Sequence, residues 1–386
     1  FEYTAGRRVA VMESKGAILE DTVDTHDFVE DEVTHIDTVE VAEPTGDEVR
    51  VDIGAASLCH TDISIALGYI PESYPMVMGH EGAGVVAEVG EGVTSVEPGD
   101  RVLTLWVPSC GVCEMCVAGH QHLCVRGGQA LYDGYLLDGT CRFHRDGEDV
   151  AQFLTLGTFA ESIVVPESEV YAIPDALPSD VASIIGCGVI TGYGSTAHRA
   201  DIDPTDTVVV IGAGNVGLNA IQGANHAGAG TVVASDPLEN KREMALEFGA
   251  DRVVDPTSED LGEAIEAVSP MGADVVVLSV GLASGELITE AVSLLGPRGE
   301  LIFTAGSSSE NIPVPPHALL DGEREIKGCL YGGASPRRTT AEVIERYLDD
   351  DYLLDELVTE HYDLAEVNTA YENLLGGQDV HSVLEP

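Results

Sequence analysis

The stretch SCGVCEMCVAGHQHLC at residues 109–124 holds four of the chain's eight cysteines, with the spacing C-x2-C-x2-C-x7-C. An iron–sulfur run also begins C-x2-C-x2-C, but its next cysteine follows after three residues and precedes proline. Here the fourth cysteine comes after seven residues and precedes Val125. Reduced thiols in so tight a loop suit a closed tetrahedral zinc site without an open coordination position. We therefore expect a structural zinc ion, with His120 and His122 as spare ligands, held by Cys110, Cys113, Cys116 and Cys124.

A second set of ligands is dispersed along the chain. Cys59, His80 and Cys187 lie in the stretches LCHTD, GHEGAG and GCGVITGYG. Taken singly, the cysteines read as small buried groups and the histidine as a satisfied core residue. Taken together, two thiolates, one neutral imidazole and one open position make a catalytic zinc site. Cys141 and Cys329 belong to neither set, and we expect them to be buried free thiols.

The stretch VVVIGAGNVG carries the pattern of a dinucleotide-binding turn. Gly212 would make the turn, Gly214 would let pyrophosphate approach the backbone, and Gly217 would let helix and strand pack closely. Asp236 ends the next strand, nineteen residues after Gly217. A carboxylate there can accept hydrogen bonds from ribose hydroxyls and would repel a 2′-phosphate, which favours NAD over NADP. The same aspartate could instead be a plain strand-end cap, and Lys241 could touch the same ribose.

The elements that must position these residues fall into two classes. Before residue 189 the chain reads as short β runs with turns between them, such as EVRVDIGAA and GAGVVAEVG. After it, strands such as DTVVVIGAG and TVVASD alternate with helical stretches, which predicts an α/β fold with a parallel sheet and crossover helices. The strand GELIFTAG is a candidate sheet edge that could pair across a dimer.

The charge is strongly acidic, with Lys+Arg 18 against Asp+Glu 67 and a net charge of −49. Such a chain repels itself unless molar salt shortens the screening length to roughly 3 Å, so we expect a protein of a high-salt cytosol. Nucleic acid and anionic membranes require basic patches and are not expected as partners. A cytoplasmic location is also expected because the sequence shows no apolar run long enough to span a bilayer and no signal peptide at FEYTAGRR.

These motifs and their order resemble the zinc-dependent medium-chain alcohol dehydrogenases, with a haloarchaeal-like acidic composition. The stretches LCHTD, YPMVMGHEGAG and LLDGTCRF are most similar to nitrosoaniline-dependent and class III-type, glutathione-linked formaldehyde-oxidising members. The resemblance implies a GroES-like β-rich catalytic domain over residues 1–188 and 331–386. It implies a Rossmann NAD-binding domain, a doubly wound parallel sheet, over residues 189–330. It also implies a homodimer or homotetramer.

The resemblance assigns a role to individual residues. Cys59, His80 and Cys187 would bind the catalytic zinc, and Glu81 could approach the metal from behind. Asp62 would orient His80, Thr61 would touch the substrate oxygen, and Trp106 would wall the substrate pocket. Thr191, Val216 and the segment 305–307 would contact the nicotinamide.

Four positions depart from the family pattern. Ser64 stands where many relatives have the histidine that ends a proton relay. His60 and His381 stand where basic residues meet the pyrophosphate. Gly128 stands where glutathione-type enzymes carry an arginine, which argues against a glutathione adduct as substrate.

The implied function is reversible hydride transfer between a primary alcohol–aldehyde pair and NAD by an enzyme with two zinc ions per chain. The alternatives within the family are a formaldehyde (thiol-adduct) dehydrogenase and a dye-acceptor-dependent alcohol oxidoreductase with tightly bound NAD. Outside it stand a metal-free reductase of the same superfamily, a non-enzymatic NAD-binding protein and an iron–sulfur electron carrier. The two dispersed thiols and the imidazole disfavour the metal-free reductase, which would lack this set of ligands.

Overall fold

The computed structural model describes residues 11–70, 73–307, 311–312 and 314–386. The prediction that FEYTAGRR is not a signal peptide concerns residues that lie outside the described ones. In the described part of the chain no helix is both long enough and apolar enough to cross a membrane.

The first part of the chain is built mainly of short strands. They are β1 (Val11–Leu19), β2 (His35–Ala42), β3 (Glu48–Ser57), β4 (Met76–Val77), β5 (Glu81–Val89), β6 (Arg101–Thr104), β7 (Phe143–Arg145), β8 (Glu148–Gln152), β9 (Ser162–Pro166) and β10 (Val170–Ala172). Three short helices interrupt them: α1 (His60–Ala66), α2 (Glu114–Val117) and α3 (Val125–Asp133). Alternating apolar residues, for example Val49, Val51 and Ile53 in β3, face a common core because successive side chains of a strand point to opposite faces.

These strands form a barrel and a sheet. Strands β1, β2, β7, β8 and β4 close the barrel, whereas β10, β6, β5 and β3 are successive neighbours in the sheet, with β9 also paired to β3. The antiparallel register of β3 and β5 sets Ser57 opposite Glu81. That register brings the end of β3 and the start of β5 to one point, where two of the predicted ligands lie.

A helical run over residues 179–199 connects the β-rich part to the parallel sheet. It comprises α4 (Ser179–Ile184), a π-helical segment Ile185–Val189, α5 (Ile190–Gly194) and a second π-helical segment Ser195–Arg199. The boundary predicted between residues 188 and 189 therefore falls inside a helical run. Pro178 directly precedes the run and is the N-cap of α4.

The next part is a six-stranded parallel sheet with helices between its strands. The strands are β11 (Thr207–Ile211), β12 (Thr231–Ser235), β13 (Arg252–Val254), β14 (Ala273–Leu278), β16 (Leu295–Phe303) and β18 (Glu325–Gly328), with a separate pair β15 (Leu282–Ala283) and β17 (Gly306–Ser307). The helices are α6 (Asn215–Ala227), α7 (Glu239–Glu247), α8 (Leu261–Glu266), α9 (Gly285–Ser293) and α10 (Pro316–Leu320). The order β13-β12-β11-β14-β16-β18 is that of a doubly wound sheet, which confirms the predicted fold class.

The prediction that GELIFTAG forms a sheet edge is wrong. Residues 299–303 of this stretch belong to β16, which pairs with β14 on one side and with β18 on the other. The edge is β18, whose sequence EIKG is too short and too polar to be recognised as a strand.

The C-terminal part returns to the β-rich sheet. It comprises α11 (Pro336–Leu348), β19 (Val358–Asp363), α12 (Val367–Leu375) and β20 (His381–Glu385). Strand β20 pairs with β3, and β19 pairs with β20. His381 is thereby carried to the end of β3, beside the first predicted ligands.

Candidate metal centre and cofactor cleft

Four ligand-type side chains from three parts of the chain meet at one point. Cys59 precedes α1, His80 and Glu81 lie at the start of β5, and Cys187 is in the π-helical segment after α4. One ligand atom of each lies within 4.8 Å of the corresponding atom of every other. A π turn shifts the residues that follow it around the helix axis, and such turns are frequent at functional sites. Here the turn contains Cys187.

Asp62 fixes the orientation of the His80 ring. Its Oδ1 lies 3.2 Å from His80 Nδ1, and its Oδ2 accepts a hydrogen bond from the Cys59 amide at 2.8 Å. Burial lowers the pKa of His80, but Asp62 and Cys59 outweigh it and raise that pKa well above the usual value. With Nδ1 facing Asp62, His80 Nε2 is buried and has no hydrogen-bond partner among the described residues. An unpartnered buried imidazole nitrogen beside two thiols is the donor arrangement of a metal ligand.

Glu81 is held by two neighbours through one oxygen. Oε2 accepts hydrogen bonds from Ser57 Oγ at 2.8 Å and from His381 Nε2 at 3.1 Å. Oε1 is buried and unpartnered within the described residues and lies 3.9 Å from His80 Nε2. Burial raises the pKa of Glu81, and His381 opposes that rise. A cation at this point would supply the partner that both unpartnered atoms lack.

The two thiols of this centre are electrostatically unequal. The hydrogen bond with Cys187, together with the His80 ring, lowers the pKa of Cys59 well below the usual value. The same hydrogen bond and burial raise the pKa of Cys187 well above it. Two sulfurs, one nitrogen and one carboxylate oxygen fit zinc, which would allow both thiols to ionise.

The four-cysteine loop makes the second cluster. The ligand atoms of Cys110, Cys113, Cys116 and Cys124 all lie within 4.8 Å of one another, and neither His120 nor His122 belongs to the group. Cys113 Sγ and Cys124 Sγ are 3.9 Å apart, close to the separation of about 3.8 Å that a tetrahedral zinc site with Zn–S bonds of ~2.3 Å requires. Backbone N–H groups of Cys116 and Val125 lower the pKa of Cys113 to about 6. Burial and the neighbouring sulfurs raise that of Cys116 to about 12, a cost that a bound cation removes. Outside the two groups, Cys141 and Cys329 are buried and free, as predicted.

The glycine turn between β11 and α6 has the geometry that a dinucleotide needs. Gly212 has φ of 95°, a left-handed conformation that favours glycine. A Cβ on Gly217 would lie 1.8 Å from Gly212 O, so only glycine fits there. A Cβ on Gly214 would have no protein atom within 4 Å. The space before the amino end of α6 is therefore free for a phosphate group, as the pattern predicts.

Asp236 lies at the end of β12, next to that turn. Its Oδ2 accepts a hydrogen bond from Ala213 N at 2.9 Å, and its Oδ1 accepts one from Leu238 N at 2.9 Å. The side chain therefore does act as a cap, and the remaining lone pairs of both oxygens could accept from ribose hydroxyls. Arg242 donates to Asp236 O at 2.8 Å. Lys241 precedes it, half-buried at the start of α7.

The other predicted cofactor residues border the same cleft. His60 is exposed, and its ring packs against Gly281, where a Cβ would lie 2.9 Å from His60 Cδ2. His381 differs from expectation, because its ring is 2% exposed and its Nε2 is bound to Glu81. Only its Nδ1 could face a pyrophosphate.

Helices α5 and α6 pack closely enough to bring the predicted nicotinamide contacts together. A Cβ on Gly192 would lie 2.1 Å from Val216 O, so Thr191 and Val216 belong to adjoining backbone segments. Both side chains are half-buried. The segment 305–307 follows β16, at the same carboxyl edge of the sheet as the glycine turn.

The residues predicted around the substrate lie close to the dispersed metal ligands. Thr61 Oγ1 is 3.5 Å from Cys59 Sγ. Ser64 Oγ donates to His60 O at 3.0 Å. Trp106 packs on Tyr331, with ring centroids 4.3 Å apart.

Two residues of this site had no role assigned from the sequence. Ser57 contacts Glu81 only because of the β3–β5 register, which a single sequence does not reveal. Tyr331 donates to Gly186 O, next to Cys187. The motif YGG that contains it was the one signal available, and its two glycines, Gly332 and Gly333, have φ of 78° and 70°.

Comparison with known proteins identifies the family to which a chain with this site belongs. Residues 45–175 match the alcohol dehydrogenase GroES-like domain, and residues 215–349 match the family described as zinc-binding dehydrogenase. The NDMA-dependent alcohol dehydrogenase of Amycolatopsis methanolica is 38% identical, over 90% of this chain and 94% of that protein. The S-(hydroxymethyl)glutathione dehydrogenase of Aspergillus oryzae is 34% identical, over 91% and 92%. The crystal structure of benzyl alcohol dehydrogenase from Acinetobacter calcoaceticus is similar with a TM-score of 0.89 and 26% identity, over 97% of this chain and 99% of that one.

Proposed function

The chain belongs to the zinc-dependent medium-chain alcohol dehydrogenases, and from that premise we propose that it interconverts a primary alcohol and its aldehyde with NAD. In oxidation the alcohol carbon loses a hydride to NAD and its hydroxyl loses a proton, so that aldehyde, NADH and a proton result. The observation that carries the proposal is the pair of unpartnered buried atoms, His80 Nε2 and Glu81 Oε1, that face two thiols.

The residues present fit two zinc ions and one NAD. Cys59, His80 and Cys187 would hold the catalytic ion, with Glu81 behind it, and the four-cysteine loop would hold the structural ion. When bound, the catalytic ion draws electron density from the substrate oxygen, and NAD accepts the hydride. Asp62 keeps His80 in the tautomer that leaves Nε2 free, and Ser57 and His381 keep one oxygen of Glu81 away from the ligand cluster.

We propose that the proton leaves through hydroxyl groups and water. Thr61 Oγ1 is the hydroxyl beside the ligand Cys59, and it can pass a proton without storing it. Ser64 donates its own proton to His60 O, so its oxygen can accept a further hydrogen bond but cannot serve as a base near neutral pH. Water at the exposed side of the cleft would then accept the proton.

Two observations bear on the alternatives. The resemblance to an NDMA-dependent relative favours, as a second candidate, an alcohol oxidoreductase that retains NAD and passes electrons to an external dye-like acceptor. Gly128, which stands where glutathione-type enzymes carry an arginine, supplies no cation itself, and a Cβ there would have nothing within 4 Å. A glutathione adduct of formaldehyde is accordingly the least favoured substrate.

We also propose the domain boundaries, the oligomeric state and the cellular environment of the chain. Residues 1–188 and 331–386 would form the catalytic domain and residues 189–330 the NAD-binding domain. The chain would act as a homodimer or homotetramer, with β18 available because β16 is its one partner among the described strands. The acidic composition supports a high-salt cytosol as its environment.

The test is a panel of primary alcohols and aldehydes assayed in concentrated KCl with added NAD, added NADP and nitrosoaniline dye in parallel. NADH formation that depends on added NAD supports the dehydrogenase. Turnover only with dye, on protein that retains NAD through gel filtration, supports the second candidate. Loss of activity with a strong chelator and its return with Zn²⁺ is expected in either case.

A further inference from the structure

A short 3₁₀ turn between β8 and β9, Phe153–Thr155, has a strained backbone beside the metal centre. Its last two residues, Leu154 and Thr155, have φ of 47° and 65°, although neither is glycine. Such a conformation is an outlier for a β-branched residue, and it persists only where the surrounding structure fixes it. The ring centroid of Phe153 lies 5.1 Å from that of the predicted zinc ligand His80. The strained turn therefore borders the catalytic centre.

The side chain of Leu154 lies where two hydrophobic cores meet. One core fills the β-rich part and contains Phe153, and the other extends from the helical run 179–199 into the parallel sheet. Within the described residues, Leu154 and Trp106 are the two partly exposed side chains that pack against both cores. The family resemblance places Trp106 on the wall of the substrate pocket. Leu154 is thus positioned to form a second part of that wall.

Glu169 connects both wall residues. Its backbone O accepts a hydrogen bond from Leu105 N at 2.8 Å, and Leu105 directly precedes Trp106. Its side-chain Oε1 is hydrogen-bonded to the hydroxyl of Thr155, which directly follows Leu154. Glu169 is fully buried, so this one residue fixes the strained turn relative to the segment that carries Trp106.

The carboxyl group of Glu169 is protonated in this arrangement. Thr155 Oγ1 contacts Glu169 Oε1 and also lies 2.5 Å from Leu154 O. A hydroxyl has one hydrogen, so both contacts can be hydrogen bonds only if Glu169 donates the second hydrogen as a carboxylic acid. Burial raises the pKa of Glu169 well above its usual value, which agrees with a protonated group. The hydrogen bonds from Glu169 to Thr155 and from Thr155 to Leu154 O then hold the left-handed turn in place.

Resting on the proposed function, we propose that Glu169 positions Leu154 against the substrate and thereby sets a preference for alcohols with a bulky apolar body. Glu169 is buried behind the turn and acts through Thr155, so it is a positioning residue and not a catalytic one. An apolar wall contributes to the binding of a large substrate and little to that of a small one. The residue therefore acts on the ratio of kcat/KM between a bulky and a small alcohol.

The test measures kcat/KM for benzyl alcohol and for ethanol at one high KCl concentration. Because a single apolar contact in a pocket changes kcat/KM by about tenfold or more, Glu169→Met should lower the ratio of benzyl alcohol to ethanol by about tenfold. Thr155→Val, which removes the hydroxyl at nearly unchanged volume, should do the same. Glu169→Gln keeps a hydrogen-bond donor and an acceptor, as a protonated carboxyl does, and should keep the ratio within about twofold.

Two further variants separate positioning from a general structural effect. Glu167→Met is the matched control, because Glu167 lies in the same 3₁₀ turn as Glu169 but accepts a hydrogen bond from Thr94 N, at 2.7 Å. It should leave the ratio unchanged. Leu154→Ala should lower the ratio by itself, and Glu169→Met added to it should change the ratio no further, because a residue that acts through Leu154 then has nothing left to position. Zinc content and melting temperature establish that each variant is folded, and Thr155→Val tests the same hydrogen bond if Glu169→Met does not fold.

Three results would overturn the proposal: an unchanged ratio in the folded Glu169→Met or Thr155→Val variant, an equal loss in Glu169→Gln or Glu167→Met, or additive effects in the variant that also carries Leu154→Ala. If neither alcohol turns over, the proposed function fails, but the role of Glu169 is still testable by hydrogen exchange. The amides of Leu156 and Gly157 donate to Phe153 O at 3.0 and 3.2 Å. Their exchange should become faster in Glu169→Met and Thr155→Val and not in Glu169→Gln, and equal rates in all variants would reject the role.

Discussion

Replacing Asp236 by asparagine should relax the choice between NAD and NADP. The carboxylate is buried at the end of β12 and points at the turn where the adenosine ribose is expected. Asn has the same shape and keeps one oxygen acceptor, so the change removes the charge and one of the two hydrogen bonds from the amides of Ala213 and Leu238. Glycine would be a poorer probe, because it would leave the amides of Ala213 and Leu238 without acceptors, at about 1–3 kcal/mol each.

The expected size of the effect follows from the burial of this charge. A 2′-phosphate about 4 Å from the carboxylate is repelled by roughly 4 kcal/mol per unit charge at an effective dielectric constant of ~20. That energy corresponds to about a thousandfold in affinity. Salt and rearrangement reduce it, so we expect the ratio of kcat/KM for NAD over NADP to fall by at least about tenfold.

The assay measures both cofactors under one set of conditions, with Asp251→Asn as a matched control. Asp251 also accepts a backbone N–H, from Val232 at 2.8 Å, but it lies at the opposite end of β12. Its substitution should leave the cofactor ratio unchanged. An unmutated enzyme that prefers NADP, or an Asp236→Asn variant whose ratio moves less than about twofold, would refute the role given to this carboxylate.

Three further predictions concern the metal centres, salt and the proton path. Cys187→Ser should lower turnover more than about 100-fold while the protein stays folded, whereas Cys113→Ser should first lower the melting temperature and the zinc content; normal turnover in the first variant would contradict the assignment. Raising KCl from about 0.1 M to 3 M should raise the melting temperature steeply, since the screening length shortens several-fold, and a neutral osmolyte should not substitute; an unchanged melting temperature would contradict this. Ser64→His should speed alcohol oxidation at neutral pH by roughly tenfold, because it adds a base; a pH–rate profile measures this. If His60→Gln instead removes the pH dependence of the rate while cofactor affinity is unchanged, His60 is the base and this proton path is wrong.

Local patterns carried most of what the sequence could predict. The glycine turn could be predicted because it depends on single residues: Gly212 must adopt a positive φ, and Gly217 must have no Cβ. The four-cysteine loop was readable because its ligands are neighbours along the chain. The alternation of strands and helices was enough to predict a doubly wound sheet.

Features that depend on long-range pairing were not readable. The contact of Ser57 with Glu81 requires the register of β3 on β5, and the contact of His381 with Glu81 requires β20 to pair with β3. The prediction that GELIFTAG forms a sheet edge was wrong because the sequence of a buried strand does not reveal whether one or two neighbouring strands pair with it. The π turn that carries Cys187 has no signature in GCGVITGYG, since an ordinary helix is equally compatible with those residues.

The cofactor site shows how a chain poor in basic residues can still hold a dinucleotide. Two positions that would carry basic side chains are histidines, and one of them, His381, is committed to Glu81. The backbone compensates, because Gly214 leaves the amino end of α6 open to a phosphate. In molar salt a surface arginine attracts a phosphate over only about 3 Å, whereas backbone N–H groups in a cleft bind by direct contact and lose little. Substituting backbone donors and uncharged rings for arginines therefore costs this protein less than it would cost one that works in dilute buffer.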